Sequence, residues 1–397
     1  MKKLLMATAL TSIAATGAFA GGHATEVSLG VSLGFTGPLE SLAGPMGDGA
    51  ELAMAEATAA NFLDDATVTS VRGDSTCIDA AAATATVERL VTADRVDGIV
   101  GGMCSGETTA SLQNVAMPNG MVMISPSATS PALSTLEDNG LFFRTSPSDA
   151  RQGVVMAEII MERGIDTVAV TYTNNDYGKG LADSFEAAFT AKGGTVTLNT
   201  AHEDGKADYA AEVGALASAG GDALVVAGYV DQGGSGVIQA SLDSGAFDTF
   251  VLPDGMVSTA LEENFGADID GSFGQNPASA GEGRDKFVAM ATEAGFDGTS
   301  AFAAEAYDAA ALIMLAMQAA DSKDPGAYKD KVFDVANAPG EQILPGELGK
   351  AFDILRAGGD IDYVGATSVE LVGEGESAGN YREIVMDGGK VTVVKYR

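Results

Sequence analysis

The chain has 397 residues and carries 55 acidic side chains against 22 lysines and arginines, which gives a formal net charge of −33 at pH 7. This charge disfavours nucleic acid as a partner, because phosphate binding requires clustered cations, and it disfavours an anionic membrane surface for the same reason. Hydrophobic residues make up 46% of the chain, whereas intrinsic disorder combines high charge with low hydrophobicity. We therefore expect a well-packed, acidic, soluble protein, and its length predicts about two to three domains.

Residues 1–20 have the pattern of a cleaved signal peptide. Lys2 and Lys3 are followed by a short apolar stretch from Leu4 to Ala15. Ala18-Phe19-Ala20 then supplies the small-x-small pattern that signal peptidase recognises. A membrane span is the alternative, but it would require about 20 apolar residues. Because no cysteine follows the apolar stretch, we expect no lipoprotein anchor and a mature periplasmic chain that begins near Gly21.

The chain has two cysteines, Cys77 and Cys104. An even number in an oxidising compartment favours a disulfide. A metal-binding or redox pair is the alternative, but Cys-x-x-Cys spacing is missing and His23 and His202 are the only histidines. The sequence therefore predicts a disulfide and no metal site.

Strand-like and helix-like segments alternate along most of the chain. The first series predicts strands at 27–31, 68–71, 96–100 and 121–124 and helices at 47–62, 78–91 and 107–117. The second predicts strands at 167–173, 195–199, 223–227 and 250–252 and helices at 152–163, 180–192, 209–219 and 237–243. Short β-rich apolar runs separated by helices are typical of buried parallel strands, and right-handed crossovers turn them into doubly wound sheets. Two series predict two α/β lobes.

Extended segments at 143–147 and 271–277 mark predicted crossings between the two lobes. The second is followed by predicted helices at 285–294 and 301–320. The chain then ends in a predicted hairpin, with strands at 381–386 and 390–394 and a turn at Asp387-Gly388-Gly389.

Loops at the carboxyl ends of these strands carry the candidate binding residues, since ligands bind there in open α/β sheets. Glycine, serine and threonine dominate the loops of the first series, at 34–38, 101–106 and 125–129. Their N–H groups and hydroxyls suit a carboxylate. Two tyrosines and an aspartate occupy the loops of the second series, at 174–178, 228–229 and 254–255, and these suit an ammonium group. The cleft is therefore predicted to bind a small zwitterion.

Each of the six candidate residues also has a structural alternative. Ser105, Ser127 and Thr129 are placed where helix N-caps occur. Tyr177 and Tyr229 fit the edge of a core, and Asp254 fits a turn before glycine. Their joint occurrence at strand ends favours a binding site.

The ordered set of motifs resembles the branched-chain amino-acid-binding proteins of ABC importers over nearly the whole mature chain. The set consists of Gly37-Pro38, Cys77 with Cys104-Ser105, residues 125–129, Tyr177-Gly178 with Gly180-Leu181, and Gly228-Tyr229. The resemblance implies a type I periplasmic-binding fold, in which two doubly wound parallel-sheet lobes are joined by a three-crossing hinge. The implied lobes are 26–146 with 277–380 and 147–276 with 381–397. The cysteine pair matches the first-lobe disulfide of that family.

The resemblance also implies roles for the candidate residues. Ser105, Ser127 and Thr129 would hold the ligand's α-carboxylate, with Ala128 part of the same loop. Tyr177, Tyr229 and Asp254 would surround the α-ammonium group.

Two departures from the family concern the pocket. Leucine/isoleucine/valine-binding members usually carry an aromatic residue after Gly37-Pro38, where this chain has Ser41-Leu42-Ala43, and Asp254 stands where their acid is often glutamate. The side-chain preference is therefore open, and relatives that bind GABA, aromatic acids, amides or urea are alternatives.

No motif of an enzyme occurs in the sequence: a Gly-x-Ser-x-Gly elbow, a Walker loop, a dinucleotide fingerprint and His-Glu-x-x-His are all missing. We expect His202 to be a surface loop residue rather than a base. A sugar site, which usually stacks tryptophan, is disfavoured because the chain has no Trp. We expect a monomeric solute-binding protein without a cofactor, whose partners are a small amino acid, branched-chain type first, and an ABC permease. A ligand-sensing subunit of a signalling system is the alternative.

Overall fold

The computed structural model describes residues 26–397. The predictions for the signal peptide at 1–20, for the mature start near Gly21 and for His23 lie outside the described residues. Within 26–397 the chain forms two seven-stranded, mostly parallel sheets flanked by helices, and one two-stranded sheet.

Strands account for both large sheets and the small one. In chain order they are β1 (Glu26–Leu33), β2 (Thr67–Asp74), β3 (Gly98–Gly101), β4 (Met123–Ser125), β5 (Phe142–Pro147), β6 (Thr167–Thr173), β7 (Thr195–His202), β8 (Ala223–Ala227), β9 (Phe250–Leu252), β10 (Phe273–Pro277), β11 (Glu341–Ile343), β12 (Ile361–Tyr363), β13 (Leu371–Val372), β14 (Glu376–Ser377), β15 (Tyr381–Asp387) and β16 (Lys390–Tyr396).

Helices separate most of these strands. They are α1 (Glu40–Ala59), α2 (Ala80–Arg89), α3 (Ser105–Ser111), α4 (Met117–Asn119), α5 (Asp149–Glu162), α6 (Asp176–Ala191), α7 (Ala210–Ala219), α8 (Gly233–Ser244), α9 (Thr259–Phe265), α10 (Glu282–Ala294), α11 (Ala303–Ala320), α12 (Pro325–Tyr328), α13 (Val332–Ala336) and α14 (Leu348–Arg356).

The two large sheets have the same strand order. The first runs β2-β1-β3-β4-β5-β14-β13 and the second runs β7-β6-β8-β9-β10-β15-β16. Their central strands are parallel, with Leu29 of β1 opposite Gly98 of β3 and Val168 of β6 opposite Ala223 of β8. The sheets differ at the sixth strand, because β14 is parallel to β5 whereas β15 is antiparallel to β10.

The chain passes between the two sheets three times. It leaves the first sheet after β5, returns after β10, and crosses again between β14 and β15. After the first crossing α5 packs on α6, and after the second α10 packs on α1. The predicted α/β fold, with two doubly wound lobes and a three-crossing hinge, is confirmed.

Helix α11 forms the centre of the first lobe. Every residue from Ala303 to Gln318 is buried, as expected for a helix that is apolar on all sides. It packs against α1, where a Cβ atom on Gly49 would lie 2.4 Å from the carbonyl oxygen of Ala303. Glycine is therefore required at position 49 for the two helices to approach each other.

Several predicted helices begin earlier than the sequence pattern indicates, and two of these differences have a clear physical reason. The helix predicted at 47–62 begins at Glu40, where Gly44, Pro45 and Gly47 weaken its helical pattern. The helix predicted at 152–163 begins at Asp149, because the Ser148 hydroxyl accepts a hydrogen bond from the N–H of Ala150 and caps it. The second difference matters for the site described below.

The expectation that His202 is a surface loop residue is wrong. His202 is the last residue of β7 and only 1% exposed, and its Nδ1 lies 2.8 Å from the hydroxyl of Thr171 on the neighbouring strand β6. Burial lowers its pKa to about 4, so the imidazole is neutral near pH 7. Polar neighbours in the sequence concealed that the strand continues to this residue.

Cys77 and Cys104 form the predicted disulfide, with their Cα atoms 5.1 Å apart. The bond ties the segment after β2 to the residue that precedes α3, so it fixes the end of the loop that carries Ser105. Among residues 26–397 no helix combines the length and the apolar character that a membrane crossing requires.

Candidate functional site

The structure brings five of the seven predicted site residues to one cavity between the lobes. Ser105, Ser127, Tyr177, Tyr229 and Asp254 line it; Leu39, Met103, Cys104, Gly255 and Phe302 complete the lining. The cavity measures about 20 Å³, which is room for about one water molecule. The lobes are therefore closed on each other.

Hydrogen bonds cross the cleft between the lobes. The backbone N–H of Ser41 donates to Asp231 Oδ2 at 3.0 Å, and the N–H of Asp231 donates to the carbonyl of Pro38 at 3.2 Å. The hydroxyls of Ser41 and Ser258 lie 3.3 Å apart. These contacts join the start of α1 in the first lobe to the loops after β8 and β9 in the second.

Serine side chains join the two first-lobe loops that form one wall of the cavity. Ser127 Oγ donates to the carbonyl of Met103 at 2.8 Å, and Ser105 Oγ accepts from the N–H of Ser130 at 3.0 Å. Ser125 Oγ donates to the carbonyl of Gly102 at 2.6 Å. The loops after β3 and β4 therefore hold each other in place, so the hydroxyls on this wall have fixed positions.

Glu107 holds the first of these loops from behind. Its Oε1 accepts from the N–H groups of Met103 and Cys104, at 2.7 and 3.1 Å, and from the Ser75 hydroxyl at 3.0 Å. Burial raises the pKa of Glu107 to about 7. This carboxyl group thus takes up two N–H groups that the sequence interpretation had left for the ligand.

Ala128 and Thr129 are buried but are not among the residues that line the cavity. The carbonyl of Ala128 accepts from Arg144 Nη1 at 2.9 Å, and the carbonyl of Thr129 accepts from the N–H of Asp149 at 2.8 Å. The hydroxyl of Thr129 is buried without a hydrogen-bond partner in residues 26–397. Both residues lie behind the wall that Ser127 forms.

Aromatic rings and a carboxylate form the opposite wall, in the second lobe. The rings of Tyr177 and Tyr229 stack with centroids 5.3 Å apart and planes 12° from parallel. The Tyr177 hydroxyl donates to Asp254 Oδ1 at 2.6 Å, and Asn175 Nδ2 donates to the Tyr229 hydroxyl at 3.1 Å. Burial raises the pKa of Asp254 above its usual range.

Asp149, in the first turn of α5, does not line the cavity but is a buried acid close to Asp254 that the sequence interpretation missed. It is fully buried, and neither carboxylate oxygen has a hydrogen-bond partner in the described part of the chain. Burial, and then the nearby charge of Asp254, raise the pKa of Asp149 well above its usual range. The amide of Gln152, one turn later, is equally buried and unpartnered. A helix start at Ser148 was the signal that could have identified both.

Two buried aspartates next to stacked tyrosines favour a cationic group. Asp149 and Asp254 repel each other while both are charged, and burying two like charges is costly without a counterion. A ligand's ammonium group would relieve that cost and would lie against aromatic faces. Within residues 26–397 no group of three or more histidine, cysteine or acidic side chains is arranged to hold a metal ion.

Apolar residues close the rest of the cavity. Leu39, Met103 and Phe302 contribute side chains, and Phe302 has a backbone φ of 63°, which is uncommon for a bulky residue. The sequence interpretation singled out none of these three. They offer an uncharged, largely hydrocarbon surface to the side chain of a bound zwitterion.

Comparison with known proteins places the chain in a family. The periplasmic binding protein family profile matches residues 26–336. The chain is 28% identical over 352 residues to a Leu/Ile/Val-binding protein homolog of Brucella melitensis, covering 84% of this chain and 92% of that protein. It is 29% identical over 300 residues to the chemotactic signal transduction substrate-binding protein BasB of Halobacterium salinarum, covering 71% of this chain and 68% of that protein.

A solved structure has the same fold. The substrate-binding protein LivJ of a Streptococcus pneumoniae branched-chain amino acid transporter, in complex with isoleucine, superposes with a TM-score of 0.77 at 24% identity, covering 94% of this chain and 100% of that one. The profile match spans most of the described residues. The chain belongs to the periplasmic binding protein family.

Proposed function

We propose that this chain is the extracytoplasmic solute-binding protein of an ABC importer and that it captures a small amino acid, of the branched-chain type, between its two lobes. The observation that carries the proposal is the opposition of two walls in one closed cavity. Serine hydroxyls face it from the first lobe, and two tyrosines with a buried aspartate face it from the second.

The first-lobe wall would receive the α-carboxylate. Ser105 is the first residue of α3 and Ser127 follows β4, so a hydroxyl and a helix N-terminus converge on the same side of the cavity. Ala128 and Thr129 do not line the cavity, and in this proposal they support the loop through the hydrogen bonds that their carbonyls accept from Arg144 and Asp149.

The second-lobe wall would receive the α-ammonium group. Asp254 supplies a charged oxygen that Tyr177 holds by a 2.6 Å hydrogen bond, and Tyr177 and Tyr229 present aromatic surface. Asp149 adds a second carboxylate from the hinge. A charge-assisted hydrogen bond to the ammonium group is worth about 1.5–3 kcal/mol, so this pole would dominate affinity.

The apolar part of the lining supports an aliphatic side chain. Leu39 and Phe302 have no polar side-chain atoms, and the only polar atom of the Met103 side chain, Sδ, is a weak acceptor that already accepts from the N–H of Gly34 at 3.3 Å, so none of the three could pair well with an amide, a second carboxylate or a sugar hydroxyl. Burying each methylene group of a ligand against them would contribute about 0.8 kcal/mol. This favours leucine, isoleucine or valine over GABA, amides and urea.

Closure of the lobes would link binding of the amino acid to its delivery to a membrane permease. A cavity of about 20 Å³ is far smaller than an amino acid, so the ligand must enter while the lobes, 26–146 with 277–380 and 147–276 with 381–397, are apart, and we propose that the cavity is wider when the lobes close around the ligand. Contacts such as Ser41 with Asp231 then form on closing, and the ligand shifts the population towards the closed state by its differential affinity. We propose that a membrane permease recognises that closed surface.

The remaining parts of the proposal follow from the sequence. We propose that residues 1–20 act as a cleaved signal peptide and that the mature chain works in the periplasm as a monomer. It catalyses no reaction and needs no cofactor, since binding and release are sufficient for its role.

The first test is a thermal-shift screen of protein freed of bound ligand by unfolding and refolding. An extrinsic dye is needed because the chain has no Trp. At about 1,000-fold excess over Kd, a ligand stabilises by about 4 kcal/mol, which raises Tm by several degrees. We expect leucine, isoleucine or valine to give the largest shift. A response to sugars, amides or GABA alone would contradict the proposal.

A second candidate function is ligand sensing for a signalling system. It is favoured by the similarity to the Halobacterium salinarum substrate-binding protein, whose name assigns it to chemotactic signal transduction. The same cleft serves both roles, so the partner decides between them. Restored amino-acid uptake by ABC permease vesicles supplied with the purified chain would favour import.

A further inference from the structure

A second groove lies between the lobes, beside the binding cavity, and the proposed function does not use it. It encloses about 500 Å³, and we call it the side groove. Ala301 lines the side groove, whereas the next residue, Phe302, lines the binding cavity. The two spaces are therefore neighbours that share one short segment of chain as a partition.

Two arginines without ion pairs face the side groove. Arg284 lies on α10 of the first lobe and Arg382 on β15 of the second. Most lysines and arginines of residues 26–397 pair with a carboxylate, as Arg163 and Arg397 do with Glu383, but Arg284 and Arg382 do not. In a chain with such an excess of acids, two unpaired guanidinium groups in one groove need an explanation.

Arg382 is held in place and is only 8% exposed. Its Nε donates to Asn276 Oδ1 at 2.8 Å, and its Nη2 donates to the carbonyl of Thr299 at 3.1 Å. Both acceptors are neutral, so the charge is hydrogen-bonded but not compensated. Burial and the proximity of Arg284 lower the pKa of Arg382 to about 10. A buried charge without a counterion is costly, and an anion in the groove would remove that cost.

The acidic residues around the groove have other partners. Glu262 accepts from Lys390 Nζ at 2.8 Å and from the N–H of Val391 at 2.9 Å. Asp297 Oδ1 accepts from the N–H and the hydroxyl of Thr299, at 2.8 and 2.7 Å.

Two further acids do not neutralise the arginines either. Asp285 is exposed in the first turn of α10, where the helix N-terminus stabilises it. Glu305 is buried near both arginines, and burial raises its pKa to about 7, so near neutral pH it is charged in only part of the molecules. Among residues 26–397 no carboxylate lies within ion-pair distance of Arg284 or Arg382, so neither guanidinium group has a direct anionic partner in the groove.

The other part of the side groove is apolar. Val288 of α10 faces Val391, Val393 and Tyr396 of the edge strand β16. Val393 is 42% exposed and Tyr396 is 40% exposed, so apolar surface is available to a ligand. A volume of about 500 Å³ lies within the range of about 300–1,000 Å³ that is usual for small-molecule sites.

We propose that the side groove is a second ligand site, which binds a small apolar monocarboxylate. The carboxylate would pair with Arg284 and Arg382, and the hydrocarbon part would lie against Val288, Val393 and Tyr396. Because Arg284 and Val288 belong to the first lobe and the others to the second, the ligand bridges the lobes. It therefore stabilises the closed state, and by linkage it strengthens binding in the neighbouring cavity.

Titration of the full chain with sodium hexanoate tests the site directly. We expect Arg284→Gln to weaken hexanoate binding about tenfold or more, because one charge-assisted pair is lost. Arg95→Gln is the control, since Arg95 also has no ion pair but is exposed and lies outside the groove; it should leave binding unchanged. Arg284 is half-buried, so this variant avoids the folding risk of replacing Arg382.

A second variant tests the apolar wall. Val393→Asp places a negative charge beside the hydrocarbon part and should weaken hexanoate binding several-fold, with circular dichroism confirming the fold. Failure of hexanoate to bind, or equal binding by wild type and Arg284→Gln, would overturn the proposal. So would weaker binding in Ser127→Ala with none lost in Arg284→Gln, because the carboxylate would then occupy the main cavity.

The coupling between the two sites is measured separately, with leucine as the probe of the main cavity. Hexanoate-saturated protein should bind leucine about fivefold more tightly, and an unchanged leucine affinity would overturn the coupling. This arm rests on the proposed function, whereas the Arg284 comparison does not. If leucine fails to bind but hexanoate binding depends on Arg284, the result supports the side groove as a ligand site and contradicts the proposed amino-acid site.

Discussion

The two lobes have the same strand order but face the cleft with different chemistry. In the first lobe the loops after β3 and β4 are linked by serine hydroxyls and backbone groups. In the second, the loops after β8 and β9 present Tyr229 and Asp254. Strand order determines where the loops lie, and loop residues determine what they bind. Similar halves can therefore hold opposite ends of one zwitterion.

The largest expected effect is on the second-lobe wall. Asp254→Ala should weaken amino-acid binding by about 1.5–4 kcal/mol, because the ammonium group loses its charged partner. Isothermal titration measures the loss. Asp222→Ala, which removes an exposed aspartate of the same lobe, is the control and should bind normally. Equal affinity of both variants would mean that Asp254 only shapes a turn.

The next effect concerns the first lobe and its stability. Replacing Cys77 and Cys104 together by serine should lower the free energy of unfolding by about 3 kcal/mol, since the open chain gains entropy when unfolded. Urea denaturation followed by circular dichroism measures the change. The disulfide ends beside Ser105, so we also expect moderately weaker binding. Unchanged stability would show that the bond constrains little.

The pH dependence of binding tests the pairing of Asp149 with Asp254. Both pKa values are raised, so as the pH falls the pair takes up a proton above the usual aspartate range of about 3.9 and loses attraction for ammonium. Affinity should therefore rise with pH. Asp149→Asn removes the carboxyl group whose pKa burial and the charge of Asp254 raise furthest, so the rise should move to lower pH. Identical pH profiles for wild type and variant would show that Asp149 does not contribute to the pH dependence of binding.

The smallest expected effect is on the first-lobe wall. Ser127→Ala should weaken binding by about 1 kcal/mol, or roughly fivefold, because it removes one neutral hydrogen bond among several at the carboxylate. Equilibrium dialysis with labelled leucine resolves a change of this size. A loss as large as that of Asp254→Ala would contradict the ranking, because the two walls would then contribute equally to affinity.

The sequence predicted the parts of the fold that depend on local pattern. Buried parallel strands such as Ala223–Ala227 appear as continuous apolar runs, and the final hairpin turns at glycines. The first residues of the helices were harder to predict from the sequence. Gly44, Pro45 and Gly47 weaken the helical pattern near the start of α1, and the packing of α1 on α11, as at Gly49 against Ala303, is not visible in a local pattern.

The site was predictable where residues follow a strand directly, as Ser127, Tyr229 and Asp254 do. Asp149 and Phe302 reach the cleft region from helix starts at the hinge and in the first lobe, and their placement depends on the crossings between lobes. The role of Glu107 could not be predicted from the sequence for a different reason. It occupies N–H groups of the loop that the sequence suggested for a ligand, and only the folded structure reveals that competition.

The three crossings have a consequence for the order of folding. Each sheet is built from two separated stretches of chain, so neither lobe is complete until distant segments have met. The second sheet needs β15 and β16, which follow every strand of the first sheet along the chain. A nascent or translocating chain thus exposes the edge of β10 until these two strands arrive. The second lobe must be the last to close its core, and a truncation of the final strands would leave it open at that edge.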